Sequence, residues 1–146
     1  MNLFRVLEIS GSALLAERLR AEIVSANLAN AETTRTDSGG PYQRMHVIFG
    51  ARPVLQPNFG MTLASFADMH AEDVRVLNVV ADRTPPIRRF EPGHPDADAQ
   101  GYVSYPAINP AEEMVNLMGA ARAYEMNAAA ITSTKNMIQS AITILS

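Results

Sequence analysis

The chain contains no cysteine in 146 residues. That excludes disulfides and thiolate metal sites; it suits an oxidising compartment without requiring one. No run of about 18 apolar residues occurs, so no transmembrane helix is expected. The start, Met1-Asn2-Leu3-Phe4-Arg5-Val6-Leu7-Glu8, has no basic region followed by a clean apolar stretch, so no cleaved Sec-type leader is expected. The net charge is only -3, which argues against a nucleic-acid or other polyanionic partner.

Proline and glycine are absent from most of both ends. All nine prolines lie between Pro41 and Pro110, and glycine is concentrated between Gly39 and Gly101. These residues break helices. The expected fold is therefore mainly α with a small β region (α+β), in which long N- and C-terminal helices form a coiled-coil-like hairpin or bundle around a Pro/Gly-rich middle. Three segments follow: 1–34, 35–108 and 109–146.

The last segment reads as one helix from Asn109 to Leu145. Asn109 can cap it, Pro110 suits the first helical position, and Glu112 is placed to complete a capping box. Met114, Leu117, Ala121, Tyr124, Ala128, Ile131, Lys135, Ile138, Ile142 and Leu145 recur in steps of three and four, a heptad seam with one cation in it. At 1.5 Å per residue the helix would run roughly 54 Å, longer than an ordinary domain of this mass is wide. Away from the seam its polar residues are mostly uncharged. Such groups cost less to desolvate than charges, which suits a helix surrounded by protein on several sides.

The first segment is also helical. Leu3, Leu7, Leu14, Ala21, Val24 and Leu28 form one stripe, and Ile9, Ala13, Ala16 and Ile23 a second. Two apolar faces imply more than one neighbour. Ser10-Gly11-Ser12 predicts a kink or a delayed start. At the far end Asn27 and Asn30 share a face, where their amides could cap the helix or bridge to another element. Strands are predicted at Tyr42 to Phe49, Val74 to Val80, Ile87 to Phe90 and Tyr102 to Tyr105, while Arg52 to Asp73 favours a loop.

Little here resembles catalytic chemistry. Gly93-His94-Pro95-Asp96-Ala97-Asp98 brings a histidine near two carboxylates, yet a metal site needs three converging ligands and Pro95 better suits a turn. His46 and His70 lie in unrelated segments, and Gly39-Gly40 lacks the lysine of a phosphate loop. No catalytic, cofactor or metal residues are expected. Arg83, Arg88 and Arg89 are expected to solvate a strand edge, and Tyr102 and Tyr105 to pack on the long helix.

Three stretches in order, Ala26-Asn27-Leu28-Ala29-Asn30-Ala31-Glu32-Thr33-Thr34 running on into Gly39-Gly40-Pro41-Tyr42, then Glu91 to Asp98 with Gly101 to Pro106, then Asn109 to Asn116, resemble the bacterial flagellar rod and hook axial protein family. The resemblance implies a structural subunit of the proximal rod, exported unfolded by the flagellar type III apparatus and built into the shaft that crosses the periplasm, where it transmits torque and walls the export channel. It implies, as partners, copies of itself, the rod proteins FlgB, FlgF and FlgG, the rod-base adaptor FliE, the MS ring and the export apparatus, with no cofactor, no nucleic acid and no membrane insertion. The expected subunit-interface residues are Leu7, Leu14, Ala21, Val24, Asn27, Leu28 and Asn30 in the first helix. In the last helix they are Met114, Leu117, Ala121, Tyr124, Ala128, Ile131, Ile138, Ile142 and Leu145. Burying each large side chain would contribute about 1.5 to 3 kcal/mol. A cytoplasmic helical export chaperone is the alternative, and a small hydrolase a weaker third.

Overall fold

The computed structural model describes residues 3–51 and 73–145. Helix α1 spans Leu3–Ala29, and helix α2 spans Pro110–Leu145. Between them lie β1 (Met45–Ala51), β2 (Val74–Ala81), β3 (Ile87–Phe90) and β4 (Tyr102–Tyr105). The predicted loop at Arg52 to Asp73 falls almost wholly outside the described residues. The expected mixture of two long helices and a small β region is what the chain forms.

Helix α1 runs through Ser10-Gly11-Ser12 without a break, so the helix does not begin at these serines, one of the two outcomes expected there. The Ser12 hydroxyl donates to the carbonyl of Ile9 at 2.8 Å, so it bonds back into its own turn. The same oxygen accepts the backbone N–H of Val74 at 3.2 Å, tying β2 to the helix. Gly11 has open space where a side chain would stand.

Helix α2 starts as its sequence requires. Asn109 Oδ1 accepts the N–H of Ala111 at 3.0 Å, and the Asn109 carbonyl accepts that of Glu113 at 3.1 Å. The expected reciprocal half of the capping box is replaced, because Glu112 turns instead to Arg44 at 3.0 Å. Glu112 and Glu113 still sit in the first turn, where the helix dipole favours carboxylates.

The two helices pack on one another as an antiparallel hairpin, with the end of α1 beside the start of α2. Strands β1 and β2 form an antiparallel ribbon that lies against α1. Its register slips between Ile48 and Phe49, leaving Leu77 as the extra residue of a bulge. Strands β3 and β4 form a second antiparallel ribbon. No Cα of it lies within 8 Å of a Cα of either helix, and the two tyrosines, expected to pack on α2, find their partners within the ribbon and its loop. Tyr105 instead donates its hydroxyl to Glu91 at 2.8 Å and lies under the Arg89 guanidinium at 4.6 Å. Tyr102 meets Phe90 edge to face at 5.3 Å, with Arg88 above it at 4.8 Å.

Gly101 closes the second ribbon's loop at a φ of +81°. A Cβ there would come within 2.9 Å of Phe90 Cε2, so both the backbone and the neighbouring ring call for glycine.

Candidate functional site

Where α1, β1 and α2 meet, one asparagine makes all four bonds open to its amide. Asn27 is 1% exposed. Its Oδ1 accepts the Met45 N–H at 2.9 Å and the Tyr42 hydroxyl at 3.1 Å. Its Nδ2 donates to the Met45 carbonyl at 2.8 Å and to Glu113 Oε2 at 3.1 Å. Asparagine is suited to this because it carries two donors and an acceptor with two lone pairs. Asn30, one turn on, caps instead: its Nδ2 donates to the Ala26 carbonyl at 2.9 Å and its Oδ1 accepts from Thr33 at 3.1 Å. The two readings open for this pair thus both occur, one at each asparagine.

Glu113, also 1% exposed, is held in turn by Arg44, which forms an ion pair with it and a second with Glu112. Burial works to lower the Arg44 pKa, but the hydrogen bonds it donates to Glu112 and Glu113 outweigh it and raise it. Burial, helped by the Glu113 charge, pushes the Tyr42 phenol up, so it stays a neutral donor to Asn27. Arg44 Nε is buried and has no partner among the described residues. A cleft of about 370 Å³ beside this anchor is lined by Arg20, Val24, His46, Phe49 and Asn116.

A second tether joins the loops. Thr34 Oγ1 donates to Asp96 Oδ2 at 2.7 Å, and Arg35 lies 3.7 Å from the same carboxylate. His94 Nδ1 accepts the Asp96 N–H at 3.1 Å, and Asp98 Oδ1 accepts the N–H groups of Gln100 and Tyr102, each at 2.9 Å. The bond from Tyr102 lowers the Asp98 pKa, with Gln100 and Arg88 helping. His94 and Asp98 shape the turn and the entry to β4, while the Asp96 carboxylate ties the segment to the loop of Thr34. Arg88 stays exposed on its strand, as expected, and from there pairs with Asp98. Among the described residues no group of three or more His, Asp or Glu side chains could hold a metal ion. None of the described helices is long and apolar enough to cross a membrane.

The hairpin is packed inside out. Its inner face is made of small and polar residues: Ser10, Ala16 and Val24 from α1, Glu113, Ala120 and Thr134 from α2 are all buried. Small residues allow close approach of the two backbones but leave the large apolar side chains elsewhere. Of the expected interface residues, Val24 and Asn27 are buried within the chain. Leu7, Leu14, Ala21, Leu28, Asn30, Leu117, Ala128, Ile131 and Ile138 are half-buried along the hairpin's margin. Met114, Ala121, Tyr124 and Ile142 are exposed, as is Lys135, and Leu145 ends the helix.

Sequence reading missed a further set. Phe4 and Leu15 on α1 are each 71% exposed, and on α2 Val115, Met118, Met126, Met137 and Ile144 point outward, Met126 being 73% exposed. Their spacing along α2 follows steps of three, four and four, closer to the straight helical period than a heptad is. The heptad template passed over this row because polar residues share it.

Comparison with known proteins gives a consistent result. Residues 7–35 match the family described as "Flagella basal body rod protein". Residues 99–144 match the one described as "Flagellar basal body rod FlgEFG protein C-terminal". Over 99% of both chains the sequence is 40% identical to the flagellar basal-body rod protein FlgC of Borreliella burgdorferi. It is 34% identical to FlgC of Bacillus subtilis, again over 99% of both. With FlgC of Escherichia coli O6:H1 the identity is 34%, over 99% of this chain and 98% of the relative.

Proposed function

This chain belongs to the FlgC family of flagellar basal-body rod proteins, and from that premise we propose how its surface serves the rod. It is a structural subunit of the flagellar basal body, and it assembles with other rod components. The export-chaperone alternative has no support, since the relatives that match end to end are rod proteins.

The observation that carries the finer reading is the outward placement of large apolar side chains on both terminal helices. Monomeric proteins rarely leave extended apolar rows in water. These rows are therefore the contacts with neighbouring subunits, and the seam residues from Leu7 to Leu28 and from Met114 to Leu145 form their margin. The terminal helices make up the load-bearing core, transmitting torque and walling the export channel, while the two β ribbons face outward. The subunit sits in the proximal rod, within the periplasm, reached by type III export. Its neighbours are FlgB, FlgF, FlgG, FliE and the MS ring. The chemistry of a structural subunit requires no catalytic group, and the polar clusters here are used in turns and anchors.

Deleting the gene should abolish swimming, and the intact gene should restore it with the protein recovered in purified basal bodies. A gene lacking Ile138 to Ser146 should restore neither. Recovery of the full protein only in the cytoplasmic fraction of swimming cells would overturn the assignment.

A further inference from the structure

The ribbon of β3 and β4 has two outer edges, and the chain treats them differently. The Glu91 N–H donates to the Gly101 carbonyl at 2.9 Å, so these opposite residues form a hydrogen-bonded pair of the ladder. Such pairs alternate. Arg89 with Val103 and Ile87 with Tyr105 therefore bond across the ribbon, while Arg88 and Phe90 of β3, like Tyr102 and Ser104 of β4, turn their backbone groups outward. At Tyr102 the β4 edge is taken. Asp98 donates its N–H to the Tyr102 carbonyl at 2.8 Å and accepts the Tyr102 N–H on Oδ1 at 2.9 Å, filling the place of a third strand. The β3 edge has no such cover. All four residues from Ile87 to Phe90 are exposed, Phe90 at 63%, and among the described helices and strands only β4 has a Cα within 8 Å of β3. Pro86 precedes this edge and Pro92 begins the turn that ends it, so it is open over a few residues only.

We propose that the outer edge of β3 accepts, as an added strand, an extended segment of a different protein that sets a carboxylate opposite Arg89 and apolar residues opposite Ile87 and Phe90. The inference goes beyond the rod reading and does not depend on how the helices assemble. The N–H and carbonyl groups of Arg88 and Phe90 supply up to four backbone bonds to the incoming strand. Side chains select what that strand carries. Arg88 already pairs with Asp98, and Glu91 already accepts the Tyr105 hydroxyl at 2.8 Å. Arg89 lies over the Tyr105 ring at 4.6 Å and makes no ion pair among the described residues, so its charge is the one left for a partner to meet. Exposed Ile87 and Phe90 flank the two arginines with apolar surface. A second copy of this chain is a poor source of the strand. None of β1 to β4 contains an aspartate or glutamate. Two β3 edges laid antiparallel set arginine against arginine, unless they are centred on Phe90, where the turn at Pro92 cuts the pairing short.

The test titrates the full chain, labelled with nitrogen-15, with the peptide acetyl-Thr-Val-Glu-Glu-Val-Thr-amide, whose palindromic core offers the same side chains to β3 in either strand direction. The expected result is saturable movement of the Arg88 and Phe90 amide signals, half complete below about 1 mM peptide, with the helix amides unmoved. The same peptide N-methylated at its four central residues has lost its strand donors and should not bind. Lys in place of both Glu should weaken binding about fivefold, and Arg89→Glu in the protein should reverse that preference. The N-methylated peptide keeps the test independent of whether the variant folds. Three outcomes would each overturn the inference: no saturable shift by about 5 mM peptide, equal binding of the N-methylated peptide, or movement of the Arg88 and Phe90 signals with protein concentration alone, which would give the edge to a second copy. Each would leave the rod reading standing, since that is decided by whether cells lacking the gene swim.

Discussion

The side-chain amide of Asn27 meets both backbone groups of Met45, accepting its N–H at 2.9 Å and donating to its carbonyl at 2.8 Å. A peptide group of a neighbouring strand would make the same pair of bonds. The start of β1 is thus docked on a helix by one side chain that imitates backbone, and the side chain at position 45 has no part in it.

Replacing Asn27 with Ala removes all four bonds, takes from the Met45 N–H and carbonyl the partner that Asn27 supplies, and leaves the Glu113 carboxylate with Arg44 and Asn116 but one donor fewer. Each orphaned group costs about 1 to 3 kcal/mol, partly relieved by relaxation, so the loss of stability should be roughly 2 to 4 kcal/mol. Asn27→Asp should be no better near neutral pH, since it sets a second carboxylate against Glu113 and loses both donations. Urea unfolding followed by circular dichroism measures both. A loss under about 0.5 kcal/mol for Asn27→Ala would show that the anchor contributes little.

Glu113→Ala leaves the Arg44 guanidinium largely buried and without its main carboxylate. Breaking such a pair from one side costs about 3 to 5 kcal/mol, whereas replacing both partners with apolar residues is often near neutral. Glu113→Ala should therefore destabilise far more than the double change Glu113→Leu with Arg44→Met. Equal losses in the two variants, measured by the same unfolding experiment, would mean that the charge pair is incidental.

Much of this fold was legible in advance because its determinants are local. Proline and glycine confined to the middle marked both helices, and β-branched runs placed all four strands close to their observed limits. The face by which the helices meet was not legible. Apolar periodicity points to Met114, Tyr124 and Ile142, but the hairpin closes on Ala120, Thr134 and Glu113, because close backbone approach rewards small side chains and Asn27 supplies a polar partner from far along the chain. The Asn27 to Glu113 bond joins residues with no local signal between them. Ser10-Gly11-Ser12 misled for a related reason: the hydroxyl of Ser12 serves β2, a role visible only once the strand is in place.

Asp82 gives a pH-dependent marker at the open end of the first ribbon. Its pKa falls from the ordinary 3.8 to about 2, chiefly through the hydroxyl and N–H of Thr84, with His46 at 3.2 Å adding to them. A depressed carboxylate contributes stability that is fully present above its unfolded value and is lost as pH drops through the folded value. The bonds to Thr84 should therefore persist at pH 4 and disappear toward pH 2. Carbon-detected NMR titration of the Asp82 carboxyl should show this, and Thr84→Ala, which removes the hydroxyl and keeps the N–H, should return the midpoint part of the way to the ordinary value. A midpoint unchanged by that substitution would assign the shift to another source.

Gly101→Ala tests the second ribbon. The substitution meets a positive φ and a ring carbon 2.9 Å away at once, and strain of this kind costs about 1 to 3 kcal/mol. Because no Cα of this ribbon lies within 8 Å of a Cα of either helix, the damage should stay local. Amide exchange should quicken across Ile87–Phe90 and Tyr102–Tyr105 while the slow amides of α1 and α2 keep their rates. Uniform acceleration through both helices would show instead that the ribbon and the hairpin unfold together.

The inside-out hairpin separates stability from assembly, and two substitutions on α2 should act in opposite ways. Ala120 is fully buried against α1, so Ala120→Leu forces the backbones apart at a cost of about 1 to 3 kcal/mol. Met126 points into solvent in the single chain, so Met126→Glu should alter that chain's stability by no more than about 0.5 kcal/mol. In the rod the order reverses. A carboxylate in an apolar contact between subunits must be desolvated without a partner, so Met126→Glu should leave soluble subunits and non-swimming cells. Ala120→Leu, if enough folded protein remains, should still assemble. Swimming by the Met126→Glu strain at the rate of the parent would mean that this row of α2 faces solvent in the finished structure and that the large residues along it do not hold subunits together.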